Sequence, residues 1–254
     1  MTRVPVKSKR EIELMRESCR IVAEVLALVG SSIKPGVQTK ELDAIAEAYI
    51  RLNGGVPAFK GYGPDRNNLF PATLCISIDD VVVHGIPDGT EIREGQIVSI
   101  DVGVKKGGYF GDGARTFAVG RIPQEKERLL KVTEESLYKG VEQARAGQHL
   151  HDVSSAVQEH VEAAGFSVVR DLVGHGIGKH LHEEPAVPNF GMRGTGVVLK
   201  EGMTLAIEPM VNVGGYEVHL DDDGWTVRTG DGKPSAHFEH TIVVRTGEAE
   251  VLTR

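Results

Sequence analysis

Four acids stand out by where they fall. Asp101 and Glu208 each end an apolar run, Ile97-Val-Ser-Ile100 and Leu205-Ala-Ile207, and Asp112 and Glu239 lie on further strand-like segments. Runs of that kind point inward, so the acids are expected to be buried, where an unpaired carboxylate is costly unless a cation, a donor or a proton compensates it. Few lysines or arginines lie beside them, Arg115 being the nearest, and metal ions are the simplest counter-charge. His175 sits in a glycine-flanked His-Gly-Ile-Gly turn that leaves its ring unobstructed. Four carboxylates and one imidazole suit two hard or borderline divalent ions, one or two of the carboxylates bridging them. Such a pair can share a hydroxide, bring its pKa towards neutrality and stabilise the oxyanion formed when it attacks a carbonyl. The chemistry expected is hydrolytic.

Taken singly, each residue has a plainer explanation. Asp112 between Gly111 and Gly113 reads as a turn aspartate, and His84 or His175 alone as a hydrogen-bonded structural histidine. The repetition of the pattern argues otherwise. His84-Gly-Ile86 is answered by His175-Gly-Ile177, and Glu94-Gly-Gln-Ile-Val-Ser-Ile-Asp101 by Glu201-Gly-Met-Thr-Leu-Ala-Ile-Glu208. The glycine run Gly174 to Gly178 lacks the third-glycine spacing and the strand-turn-helix setting of a nucleotide loop.

The elements that must hold these residues repeat in the same order. Ser8 and Glu11 have capping-box spacing, and Ile12, Met15, Cys19, Val22, Leu26 and Val29 recur at steps of three and four, predicting a helix that Pro35-Gly36 breaks. A second helix is predicted from about Thr39, with Leu42, Ile45, Ala46 and Ile50 inward, stopped at Asn53-Gly54-Gly55. Strands are predicted over Thr73 to Ile78, Val81 to Val83, Ile97 to Val104 and Arg115 to Val119. After Pro123 come a helix to about Ala146 and another from about Asp152 to Gly165. An offset of 111 aligns Gly36 with Gly147, Leu42 with Val153, Ile50 with Val161 and Gly54 with Gly165. The expectation is one α+β domain over 1–254 with pseudo-twofold symmetry, halves about 1–122 and 123–254, and two sheet halves meeting in the middle.

Composition excludes several classes. The 254 residues are 40% hydrophobic and 26% charged, and no apolar run approaches the roughly 20 residues of a membrane helix. A net charge of −7 gives no global attraction for phosphate backbones, so nucleic-acid binding is not expected. The stretch Met1 to Arg10 is charged and lacks the apolar core of a secretory signal. The two cysteines, Cys19 and Cys75, fit a reducing cytosol.

Seven motifs in order, His84-Gly-Ile-Pro, Asp101-Val-Gly, Gly111-Asp-Gly-Ala-Arg-Thr-Phe, Gly174-His-Gly-Ile-Gly, His182-Glu-Glu-Pro, Ala206-Ile-Glu-Pro and Phe238-Glu-His-Thr, resemble the type I methionine aminopeptidases of the pita-bread fold, in a bacterial-type short form. The resemblance covers essentially the whole chain. It implies Asp101, Asp112, His175, Glu208 and Glu239 as ligands of two divalent ions, with Asp112 and Glu239 bridging; cobalt(II), manganese(II), iron(II) and zinc all accept such ligands. It implies catalytic roles for His84, His182 and Glu208, the two histidines beside the scissile peptide. A methionine pocket of Phe59, Tyr62, Phe70, Cys75, His84, Leu181, His182 and Trp225 is implied too, and a monovalent-cation site at carbonyls near Asp79, Val81 and Ser235. The implied activity is removal of the initiator methionine from deformylated nascent chains with a small second residue, by attack of a metal-bound hydroxide on the first peptide bond. A cytoplasmic monomer with transient ribosome association is the implied setting. Three departures from the family pattern stand out: seven residues, Gly63 to Leu69, between Tyr62 and Phe70 where about two are usual, Leu181 in place of an aromatic residue, and His237 in place of glutamine. A proline-specific peptidase of the same fold is the nearest rival, but those carry a large extra N-terminal domain. A metal-free peptide-binding relative would have lost ligand residues that are all present here.

Overall fold

The computed structural model describes residues 4–254; the first three residues of the charged opening stretch lie outside the described residues. In chain order they form α1 (Lys9–Ser32), α2 (Thr39–Leu52), β1 (Val56–Pro57), β2 (Leu74–Ile78), β3 (Val81–Val83), β4 (Ile97–Lys106) and β5 (Tyr109–Ala118). There follow α3 (Gln124–Gln143), α4 (Leu150–Ala163), β6 (Ser167–Val168), β7 (Gly174–Gly176), β8 (Glu183–Val187), β9 (Thr204–Ile207), β10 (Met210–Asn212), β11 (Val218–Leu220), β12 (Val227–Thr229), β13 (Ser235–His237), β14 (Glu239–Val243) and β15 (Glu250–Val251).

Helix α1 starts where the capping box puts it: the Ser8 hydroxyl accepts from the Glu11 amide at 3.3 Å, and the Glu11 carboxylate accepts from the Ser8 amide at 2.8 Å. All six residues of its expected stripe are buried. On α2 the expectation fails at Ile45, which is 36% exposed, because the inward stripe runs through Leu42, Ala46 and Ile50.

Nine strands form an antiparallel sheet in the order β1-β4-β5-β14-β9-β7-β8, with β2 added on β4 and β15 on β14. The two halves join where β5 meets β14. Because strand side chains alternate, each long strand offers one set to either face. On β4, Val98, Ile100, Val102 and Val104 pack against Val22, Val25, Leu42 and Ile50 of α1 and α2. On the second half, Leu205, Ile207 and Ile242 pack against Leu137, Val153 and Val157 of α3 and α4. Both helix pairs therefore cover the same face. The residues of opposite parity, Asp101 and Glu208 among them, face the other side.

Two local expectations are corrected. The strand expected at Arg115 begins at Tyr109, after a hairpin turn whose Gly107 and Gly108 have φ of 59° and 86°, so Asp112 lies mid-strand and not in a turn. Asp101 is central in β4, where the strand expected over Ile97 to Val104 puts it. His175 lies in β7, paired on both sides, instead of in a turn.

Candidate active site

Strand register brings the acids together. Cross-strand partners project to the same face. Asp101 faces Ala114 and Gly103 faces Asp112 across β4 and β5, which sets the two aspartates one diagonal step apart. Ala114 also pairs with Glu239, placing Glu239 on that face. Ala206 pairs with both Thr241 and His175, so His175 and, two residues beyond Ala206, Glu208 share it as well. Cys75 pairs with Asp101. Five residues scattered over 139 positions of sequence (101 to 239) thus meet at the seam of the sheet.

Ligand-capable atoms of Asp112, His175 and Glu239 all lie within 4.8 Å of one another. The His175 Nε2 is 3.8 Å from an Asp112 oxygen and 3.6 Å from a Glu208 oxygen. Burial and mutual repulsion raise Asp101, Glu208 and Glu239 well above the usual carboxylate range, and burial pushes Asp112 up to about 7. Among the described residues no lysine or arginine lines the cavity they share. Arg115, the nearest in sequence, is exposed and pairs with Glu134 at 3.7 Å. Asp101 Oδ1 and Glu239 Oε1 are buried without a hydrogen-bond partner among the described residues. Burial pushes His175 down to about 3, so its ring is neutral; Nδ1 lies 2.9 Å from the Gly176 carbonyl and donates to it, leaving the Nε2 lone pair towards the acids. Orphaned carboxylate oxygens and a pre-oriented imidazole fit divalent cations, and no cationic side chain among the described residues lines the cavity to offset the charge.

Above the acids the same cavity, about 140 Å³, is lined by Phe59, Tyr62, Phe70, Cys75, His84, Leu181, His182 and Trp225. Every residue expected at the metals or the pocket is therefore in one place. The volume is well below the ~300–1,000 Å³ of common ligand sites, a size for one side chain. Phe70 meets Trp225 edge-on with centroids 5.3 Å apart. His84 follows β3 with φ of 60°, a conformation few non-glycine residues adopt, and burial pushes it down to about 4. His182 is also lowered by burial, and its ring centroid is 4.3 Å from that of His175. The seven-residue insertion does not displace the pocket wall: the Phe70 amide donates to the Tyr62 carbonyl and the Gly61 amide to the Phe70 carbonyl, both at 2.8 Å, so residues 63–69 bulge outward.

Some contributors escaped the sequence reading. Thr241 brackets Asp112, its hydroxyl accepting from the Asp112 amide at 3.1 Å and donating to the Asp112 carbonyl at 2.8 Å. Thr116 does the same for His237. His237, noted only as a departure, has its Nε2 3.6 Å from Glu208, buried and unpartnered among the described residues. The one available signal was alternation along β5, where Thr116 shares the parity of Asp112.

The sequence profile of metallopeptidase family M24 matches residues 13–246. The chain is 52% identical to a methionine aminopeptidase of Clostridium perfringens over 249 residues, 98% of each chain, and 49% identical over 248 residues to methionine aminopeptidase 1 of Bacillus subtilis, again 98% of each. The crystal structure of the Thermotoga maritima methionine aminopeptidase superposes with a TM-score of 0.96 at 43% identity, covering 99% of this chain and 100% of that one. The architecture is accordingly the pita-bread fold that the motifs implied. The chain belongs to metallopeptidase family M24, among its methionine aminopeptidases.

Proposed function

We propose that this chain is a metal-dependent methionyl aminopeptidase that removes the initiator methionine from nascent proteins and peptides with a small second residue. The observation that carries the reading is a single cavity in which five candidate ligands form the floor and an apolar, one-residue pocket forms the wall. The chain acts as one catalytic domain whose halves, about 1–122 and 123–254, each give acids to the floor.

Asp101, Asp112, His175, Glu208 and Glu239 would hold two divalent ions, the physiological metal being one of cobalt, manganese, iron(II) or zinc. When bound, the ions supply Lewis acidity, making water a nucleophile near neutral pH and offsetting negative charge at a carbonyl oxygen. The remaining work falls to side chains. Phe59, Tyr62, Phe70, Cys75, Leu181 and Trp225 enclose the methionine thioether. Asp101, cross-strand from Cys75 of the wall, sets the free α-amino group at the boundary between pocket and acids. His84, neutral in its buried position, donates to the carbonyl oxygen as it becomes anionic. His182 contacts the scissile amide from the other side. Glu208 takes a proton from the attacking water and passes it to the departing amide nitrogen.

A monovalent cation at the carbonyls of Asp79, Val81 and Ser235 belongs to the same reading; the Ser235 amide donates to the Asp79 carbonyl at 2.8 Å, which ties the two segments together. Among the described residues no helix is long and apolar enough to cross a membrane. A cytoplasmic monomer acting on deformylated chains, with transient ribosome contact, is the setting we propose. The test is methionine release from Met-Ala-Ser, Met-Leu-Ser and formyl-Met-Ala-Ser at equal concentration with manganese or cobalt present. Prompt release from the first alone is expected; comparable rates on all three would exclude the reading.

A further inference from the structure

Tyr62 does more than close the pocket. Its hydroxyl lies 2.5 Å from Nδ1 of His182, with ring centroids 5.2 Å apart. We propose that Tyr62 is a positioning residue for the reaction: its hydroxyl donates to Nδ1 of His182 and so fixes the neutral ring with its proton on Nε2, facing whatever occupies the cavity. The inference rests on the reading of His182 as the histidine that contacts the scissile peptide.

A neutral imidazole has one donor and one acceptor nitrogen, and the partner at one decides the state of the other. Burial, with the Asp112 charge nearby, raises the Tyr62 phenol, so the hydroxyl keeps its proton. Among the described residues Nδ1 of His182 is the only hydrogen-bond partner that hydroxyl has. The reverse arrangement, Nδ1–H donating to the phenol oxygen, would leave the phenolic proton without a protein acceptor and turn a lone pair, not a proton, towards the cavity. His182 lines the cavity, and its Nε2 makes no hydrogen bond to a protein group among the described residues.

The hydroxyl is placed by the backbone and not by ring packing alone. The Tyr62 amide donates to the Phe59 carbonyl and the Phe70 amide to the Tyr62 carbonyl, each at 2.8 Å. Beyond Tyr62 the outward loop is tethered: the Asn68 side chain donates to the Asp223 carbonyl at 3.1 Å and accepts from the Trp225 indole at 3.3 Å. Phe59 and Phe70 thus hold the Tyr62 backbone on either side, and the loop that follows it is tied to the pocket wall at Trp225.

Tautomers are read directly from long-range proton–nitrogen spectra of protein carrying ¹⁵N-histidine. The parent should show His182 with Nδ1 unprotonated, and Tyr62→Phe should move population to the other tautomer. In kinetics with Met-Ala-Ser, Tyr62→Phe should lower kcat by about tenfold, the upper range for one neutral hydrogen bond, with KM nearly unchanged. In a His182→Ala background it should have no further effect. An unchanged tautomer in Tyr62→Phe, losses that multiply in the double variant, or a raised KM at constant kcat would each overturn the proposal. The spectra need no turnover, so an error in the assigned activity would appear separately, as a parent that releases no methionine yet shows the Tyr62-dependent tautomer.

Discussion

The acids at the seam predict that neutralising one of them stabilises the metal-free protein. Asp112 is buried and accepts from the Gly113 amide at 3.1 Å; asparagine keeps that acceptor and carries no charge. Its carboxyl ordinarily titrates at 3.8 and in the folded protein at about 7. A group raised on folding leaves stability intact below its unfolded pKa and removes it as pH climbs to the folded value. Holding the carboxyl at about 7 therefore costs the metal-free parent roughly 4 kcal/mol by pH 8, at about 1.36 kcal/mol per tenfold of proton affinity. Urea denaturation followed by circular dichroism, on chelated protein, should find Asp112→Asn more stable than the parent by up to about 4 kcal/mol at pH 8, narrowing to about 1 kcal/mol at pH 4.5. Manganese should stabilise the parent by mass action and the variant far less. A variant less stable than the parent at pH 8, or a difference that does not change with pH, would refute the view that this carboxylate is held against the cost of its burial for a cation.

Other consequences are narrower. His84→Ala should lower kcat about a hundredfold to a thousandfold, the scale for one oxyanion donor, with metal content by elemental analysis unchanged; lost metal with normal turnover per bound ion would contradict the role. A Cβ on Gly85 would stand 2.2 Å from the Ile76 carbonyl oxygen, so Gly85→Ala should destabilise by about 1–3 kcal/mol in thermal denaturation and misplace the adjoining His84. Lys7 and Glu183 pair at 2.5 Å with side chains only 6% and 8% exposed. Lys7→Met, which strands the acid, should cost about 3–5 kcal/mol, and adding Glu183→Gln should recover most of it; equal losses in both would show that packing, not charge, is at stake.

How far the sequence could be read follows from range. Helix α1 was legible because its cap and its stripe are local: Ser8 and Glu11 are three residues apart, and each buried residue is three or four from the next. The carboxylates were legible because an acid closing an apolar run is locally anomalous and because the second half repeats it. Register was not legible. Nothing near Asp112 announces that Gly103 lies opposite it, or that Ala114 pairs with both Asp101 and Glu239. The start of β5 was missed because Tyr109-Phe-Gly-Asp-Gly is depleted in the β-branched residues that mark strands, its glycines being tolerated where α1 packs close, as at Gly111 against Cys19. His182 had no local signature at all and entered only through the motif resemblance. The contact of Tyr62 with His182 spans 120 residues, and neither side chain hints at the other.

Most decisive is methionine release from Met-Ala-Ser by one preparation in three states: as purified, after exhaustive chelation, and after reloading with manganese or cobalt, each with its bound metal counted. Release should vanish on chelation, when Asp101, Asp112, His175, Glu208 and Glu239 hold nothing, and return as metal is restored. Undiminished release from protein shown to be metal-free would contradict the assignment of these five residues as the ligands of a metallopeptidase centre.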